Sequence, residues 1–288
     1  MIKMATFYNQ ATLSYNGNTT TSNITTGEFI EALSALHTHI MDTYSKDDEI
    51  TFVLSIVNSS ATDYDGLEVS FDLGNYQFGT TTDVIPLTYI PDSLKYYING
   101  VLQPYPAVTA GQTLNVSPVS VPANGNTIII YKTLVNEFAP LEQGASITNT
   151  ATVSGGCIAE SITAPAVITA ETSAILGISK SISPSVVSCN GSVTYTFIIQ
   201  NTGNTAATAS DNVIVTDTFT PALSNLTVTL NNQPLTINTG YTYNETTGLF
   251  ETAAGAITVP AATFTQDAAT GEWNITPGSS ILTVTGTI

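Results

Sequence analysis

Residues 193–201 read Val193-Thr194-Tyr195-Thr196-Phe197-Ile198-Ile199-Gln200-Asn201. Val193, Tyr195, Phe197 and Ile199 share one face, and Thr194, Thr196 and Ile198 share the other, the period of two expected of a half-buried strand. An earlier stretch repeats it: Ile50, Phe52, Leu54 and Ile56 alternate with Thr51, Val53, Ser55 and Val57, ending at Asn58. A second pair follows, Gly125-Asn126-Thr127-Ile128-Ile129-Ile130 and Gly278-Ser279-Ser280-Ile281-Leu282-Thr283. The offset grows from 193 − 50 = 143 to 278 − 125 = 153, so the chain is a duplication with small insertions. Gly, Asn, Asp and Pro punctuate it at intervals of about 8–12 residues, the mark of antiparallel sandwiches. The spacing predicts two tandem all-β sandwiches. Their expected bounds are an arm at 1–20, a first sandwich at 21–155, a connection at 156–173 and a second sandwich at 174–288. The helical spacing of Phe29, Ala32, Leu33 and Leu36 suggests one short helix over Glu28 to Leu36, although the repeat makes its C-terminal part strand.

Composition narrows the function. The 288 residues carry 5 basic and 22 acidic side chains, a net charge of −17. Every basic residue is lysine, and about one residue in six is threonine. Only 9% of residues are charged, against about 25% in ordinary soluble domains. An acidic chain without arginine lacks the footprint that phosphate backbones and anionic membranes attract, so nucleic acid and membrane surfaces are excluded as partners. No ~20-residue apolar run is present to insert in a bilayer. The start, Met1-Ile2-Lys3-Met4-Ala5-Thr6-Phe7, lacks the roughly 7–15 apolar residues of a signal peptide. A polar, Thr-rich surface fits an extracellular protein that has lost a presequence, or one assembled inside a cell that later lyses, as around a bacterial spore.

The two copies end differently. Copy one continues into Ile147-Thr148-Asn149-Thr150-Ala151-Thr152-Val153, whereas copy two stops just after its Ile281 strand. A segment like the missing one lies at the front, Phe7-Tyr8-Asn9-Gln10-Ala11-Thr12-Leu13-Ser14-Tyr15, with Asn9, Ala11 and Thr12 matching Asn149, Ala151 and Thr152. An open sheet edge invites another strand. Phe7, Asn9, Ala11, Leu13 and Tyr15 are therefore expected on a donor strand. The acceptor groove is expected along Ile281, Leu282 and Val284 of the next subunit. Such a contact is heterologous and does not close, so it yields a filament. The alternative is that the donor folds back on its own chain.

Ser192-Val193-Thr194-Tyr195-Thr196-Phe197, then Asn201-Thr202-Gly203-Asn204, then Val213-Ile214-Val215-Thr216-Asp217-Thr218 resemble the conserved repeat domain of bacterial surface proteins, the domain of unknown function numbered eleven. Copy one departs from the pattern, with Asn58-Ser59-Ser60 in place of Asn-Thr-Gly. Of the Val-x-Val-x-Asp strand it keeps only the aspartate, Asp72. The resemblance implies immunoglobulin-like sandwiches and structural work in surface layers or appendages, including those of spores. It also implies that a Lys–Asn isopeptide bond is worth seeking. Leu176, Ile178, Lys180 and Ile182 share a face, as do Val213, Val215, Asp217 and Phe219. Lys180 and Asp217 are thus expected inside, with Asn9 of a neighbouring subunit joining them on docking. A neutral lysine, an amide and a protonated acid are what the reaction needs. The alternatives are a buried Lys180–Asp217 ion pair or a lysine reaching solvent. In copy one His37 takes the lysine position, Asp72 is expected to face outward, and Asn149 to bond a strand edge.

Other signals are weaker. Cys157 and Cys189 have no zinc-like spacing; one disulfide, bonds to neighbouring subunits and free thiols all remain open. His37 and His39 share a face but no third ligand accompanies them, so no metal is assigned. Trp273 is expected in the core or between sheets. Asp63-Tyr64-Asp65-Gly66 reads as a solvated turn, and Asn99-Gly100 and Asn231-Asn232 as hairpin turns. No cofactor or catalytic set is indicated. The reading is a self-assembling fibre subunit whose partner is itself, with an anchoring protein unidentified. The alternative is an adhesin for carbohydrate or protein.

Overall fold

A computed structural model of the chain describes residues 3–15, 18–79 and 82–288. Met1, Ile2, Asn16 and Gly17 of the expected arm lie outside them. The chain divides into two compact units, residues 1–139 with 146–169 and residues 140–145 with 170–288. An N-terminal arm holds β1 (Lys3–Asn9), β2 (Thr12–Tyr15), β3 (Asn18–Thr21) and β4 (Thr25–Glu31). The first sandwich follows with β5 (Leu33–His39), β6 (Thr43–Tyr44), β7 (Glu49–Asn58), β8 (Tyr64–Phe71), β9 (Tyr76–Phe78), β10 (Thr82–Val84) and β11 (Leu87–Tyr89). It continues with β12 (Lys95–Ile98), β13 (Val101–Gln103), β14 (Ala107–Ala110), β15 (Leu114–Val121), β16 (Gly125–Val135), β17 (Ser146–Gly155) and β18 (Ile162–Ala170). The second sandwich holds β19 (Leu176–Ser183), β20 (Ser192–Asn201), β21 (Thr216–Thr218), β22 (Ser224–Leu230), β23 (Gln233–Pro234), β24 (Tyr241–Tyr243), β25 (Leu249–Thr252), β26 (Thr263–Gln266), β27 (Trp273–Thr276) and β28 (Gly278–Thr287).

The fold is all-β, as tandem sandwiches. In the first, β13-β12-β16-β7-β5 faces β14-β15-β8-β17-β18-β6. Alternation drives the packing: Ile50, Phe52, Leu54 and Ile56 of β7 are fully buried, as are Leu67, Val69 and Phe71 of β8. In the second, β19-β20-β28-β22-β23 packs against a much smaller sheet, β21-β25-β24. Val193, Phe197, Ile199, Leu282, Val284 and Phe250 build its core. The register carries the repeat, since Asn58 pairs with Gly125 and Asn201 with Gly278. Both asparagines are buried and clamp the loop that follows. Asn58 Nδ2 donates to Thr62 O and Pro122 O, and Asn201 Nδ2 to Thr205 O and Pro260 O. Asn99-Gly100 and Asn231-Asn232 turn their hairpins with positive φ at both positions, as a tight two-residue turn of this hand requires.

Several boundaries differ from the expectation. Residues 156–173 are not merely a connection, because β18 pairs with β17 along its length and buries Ala164, Ala166 and Ile168. Glu28 to Leu36 is strand rather than helix, since β4 pairs with β1 and β5 with β7. The arm extends past residue 20. β1 pairs with β4 and β2 with β3, so an antiparallel ribbon built of two successive ladders runs through the arm, and among the described residues neither ladder joins a sandwich sheet.

Candidate functional site

The main strands of the two sandwiches correspond until one side of the smaller sheet. β25 stands to β21 as β15 stands to β8. In the first sandwich the other edge of β8 is taken by β17, and β18 lies beyond it. Among the described residues, no strand pairs with the corresponding edge of β21. The effect shows on the facing sheet. β5 has its inner residues Leu33 and His37 buried, whereas every residue of its counterpart β19 is exposed.

That exposure falls on apolar side chains. Ile178, Lys180 and Ile182 pair with Ile199, Phe197 and Tyr195, the core-facing residues of β20. Leu176, Ile178 and Ile182 thus point inward yet remain 40%, 58% and 42% exposed. The opposite face is Gly177, Ser179, Ser181 and Ser183. Covering the remaining area of each apolar side chain contributes on the order of 1 kcal/mol.

Lys180 sits in this stripe. Its ammonium pairs with Asp217 and lies 4.6 Å from the ring centroid of Tyr195 and 5.4 Å from those of Phe197 and Phe219. Both side chains are partly open, at 39% for Lys180 and 18% for Asp217. Asp217 Oδ1 also accepts from Thr218 N, which fixes the carboxylate. Sequence phase predicted the Lys180–Asp217 meeting. The three rings were not anticipated, although Tyr195 and Phe197 already alternate in phase.

The first sandwich shows the same place with the strand in position. His37 replaces the lysine and is 3% exposed. Its Nδ1 is 3.0 Å from Asn149 O, a carbonyl that can only accept, so Nδ1 carries the proton. The neutral ring's Nε2 then accepts from the Tyr131 hydroxyl at 3.1 Å, and that oxygen accepts from Asn149 Nδ2 at 2.8 Å. Asn149 Oδ1 accepts from Leu73 N. Asn149 is therefore a core residue and not simply a bond to a strand edge. Asp72 does not face away: it accepts from Thr150 N at 2.8 Å and from Gly74 N, pinning β17.

Burial holds His37 down to a pKa of about 4 from 6.5, only partly countered by its bonds to backbone carbonyls. The lowered value gives a sign. Native His37 stays neutral where the unfolded ring takes a proton, so its contribution is intact above pH 6.5 and is lost as pH falls to about 4. The loss reaches about 3 kcal/mol. Denaturant titration of the first sandwich at both pH values should show a decline smaller by that amount in His37→Gln. Equal declines would contradict the assignment.

The expected acceptor groove is corrected. β28 is bonded on both sides, to β20 and β22, so it offers no edge. Leu282 and Val284 are core residues, and Ile281 lies on the outer face. The open place belongs to the opposite sheet, at β21 and across from β19. Of the donor residues, Asn9, Ala11 and Leu13 are exposed on the arm, and Phe7 and Tyr15 lie on β1 and β2. Cys157 and Cys189 are free and exposed, so no disulfide joins them. His39 contacts Asp42 at 3.5 Å. Trp273 is half-buried on the β26–β27 hairpin, which belongs to neither sandwich sheet.

No protein-family model matches the chain, and no curated protein matches it. Among solved structures, a 35 kDa C-terminal fragment of the major pilin of Streptococcus agalactiae is 13% identical, with 86% of this chain and 91% of that one covered and a TM-score of 0.35. The pilus backbone of Streptococcus pneumoniae is 10% identical, covering 85% and 55%, with a TM-score of 0.33. The collagen adhesin of S. aureus is 12% identical, covering 58% and 77%, with a TM-score of 0.30. Likeness this distant decides nothing about function, and the fold rests on the strand order above.

Proposed function

We propose that the chain is a structural subunit of a surface fibre. Copies join head to tail when the arm of one completes the second sandwich of the next. The observation that carries this reading is the uncovered inner face of β19, whose counterpart in the first sandwich lies under β17. An inward apolar stripe beside an unpaired sheet edge is a site for strand addition. Because donor and acceptor are different surfaces, the contact propagates. An extracellular or spore-surface setting suits the sparse charge and threonine-rich composition, and the work is structural rather than enzymatic. Negative-stain micrographs of concentrated protein test the proposal: unbranched filaments support it, and monodisperse particles at all concentrations oppose it.

The same docking supplies the third member of a crosslink. Asn9 in the register of Asn149 enters beside Lys180 and Asp217. Docking removes water from the pair, and the lysine proton passes to the carboxylate, leaving a neutral amine. Lys180 Nζ attacks Asn9 Cγ, the new C–N bond forms, and the amide nitrogen leaves as ammonia. Asp217 donates to the carbonyl oxygen as charge develops there.

An adhesin is the second reading. A cleft of about 720 Å³ lies at one end of the first sandwich, lined by Asn58, Asn99, Asn124 and Asn126. Asn58 Nδ2 already donates to Thr62 O, and Asn99 Oδ1 accepts from Asn126 N of β16, which leaves the fibre reading better supported. Glycan binding by the monomer would favour the adhesin.

A further inference from the structure

We infer that the joining element is the whole two-stranded ribbon of residues 3–31, and that it fills a site two strands wide. This inference rests on the strand-addition reading and adds what enters. In the first sandwich, β17 and β18 are consecutive and antiparallel, and each buries alternate residues. Ile147, Asn149, Ala151 and Val153 point inward from β17, and Ala164, Ala166 and Ile168 from β18. Both strands belong to the six-stranded sheet, and the three-stranded sheet of the second sandwich holds a counterpart of neither. One added strand leaves half of that width uncovered.

The arm has the matching form. Its leading leg, β1 and β2, reads Phe7 to Ser14 against Ile147 to Ser154, with Asn, Ala, Thr and Ser identical at four positions and apolar residues at the two ends of the inward row. The pairing can be compared at the asparagine. Asn149 pairs with Ala166, and Asn9 pairs with Thr25. Directly opposed residues share a face of an antiparallel pair. Thr25 therefore stands where the small, 4%-exposed Ala166 stands in the first sandwich, and Thr26 faces the other way. On the free chain Asn9, Ala11, Thr25 and Thr26 are all exposed.

The occupant is a second copy of this chain. Only Ala32 separates β4 from β5, so the arm is held where β5 begins. Leu33 pairs there with Asn58, at the end of the sandwich where Asn58 meets Gly125. β18 runs the same way as β5 and finishes beside Asp42, beyond the far end of β5. The arm and the exit toward the second unit thus leave the first sandwich from opposite ends. The ribbon is held at the end of the first sandwich away from the chain's exit, which suits it to another copy rather than to its own second sandwich.

Full-length variants separate the ribbon from a single donor strand. Arginine fits neither inward position, so Ala11→Arg and Thr25→Arg should each lower the sedimentable polymer at least tenfold. Thr26→Arg should assemble as the unsubstituted chain does. All three positions lie outside both cores, so the thermal melts should coincide. If Thr25→Arg assembles normally while Ala11→Arg does not, only one strand enters and the ribbon inference is overturned. If Thr26→Arg is as defective as Thr25→Arg, the facing is wrong and the inference is equally overturned. Normal assembly by both inward variants would instead overturn strand addition itself.

Discussion

A chain lacking residues 1–31 should remain monomeric at concentrations where the full chain forms filaments. The physical reason is that both cores are built without those residues. β5 begins at Leu33, and the arm pairs only with itself among the described strands. Folding of both sandwiches should therefore survive, with thermal transitions within a degree or two of the full chain. Assembly should fall by orders of magnitude, because the inward face of β19 keeps its exposed Ile178 and Ile182 and nothing completes the β21 edge. Light scattering against concentration measures this. Unchanged scattering by the shortened chain would mean that copies meet through another surface.

Filaments of the full chain should resist boiling in detergent, and Lys180→Ala or Asn9→Ala should reduce them to monomers under that treatment. The ion pair, the ring cluster and the open edge are all present before docking. What docking adds is an amide and the exclusion of water. Each junction formed should lose ammonia, about 17 Da by intact mass. Both variants should still make filaments under native conditions, because the apolar stripe and the strand pairing remain. Asp217→Ala should likewise yield reversible filaments, since the proton acceptor is gone. Detergent-sensitive filaments of full mass from the unsubstituted chain would leave Lys180 and Asp217 as an ion pair only.

The sandwiches were legible because alternation is a local signal. Ile50 to Asn58 and Val193 to Asn201 show their buried faces residue by residue. The meeting of Lys180 with Asp217 followed from the same phase. The acceptor was misplaced because partnership is not local. Ile281, Leu282 and Val284 read as the last strand present, and sequence order suggested that the donor lies beside them. In a sandwich, successive strands cross between sheets, so β17 pairs with β8 and not with β16. The second half of the arm was misread for a different reason. Phe29, Ala32, Leu33 and Leu36 fit a helix by spacing; the repeat made the C-terminal part strand, and the pairing of β4 with β1 overrules the rest. Burial of β18 was hidden by its small residues, because Ala164 and Ala166 read as linker until their neighbours are known.

The central claim is that the arm of one copy fills the second sandwich of another. Mixing two assembly-dead chains tests it most directly: one lacks residues 1–31, and the other carries Ile178→Asp on the exposed face of β19. Each alone should be monomeric by sedimentation velocity. Together they should form a one-to-one dimer and nothing longer, since the first offers only an acceptor and the second only an arm. A mixture that stays monomeric, or either chain polymerising alone, would contradict the account.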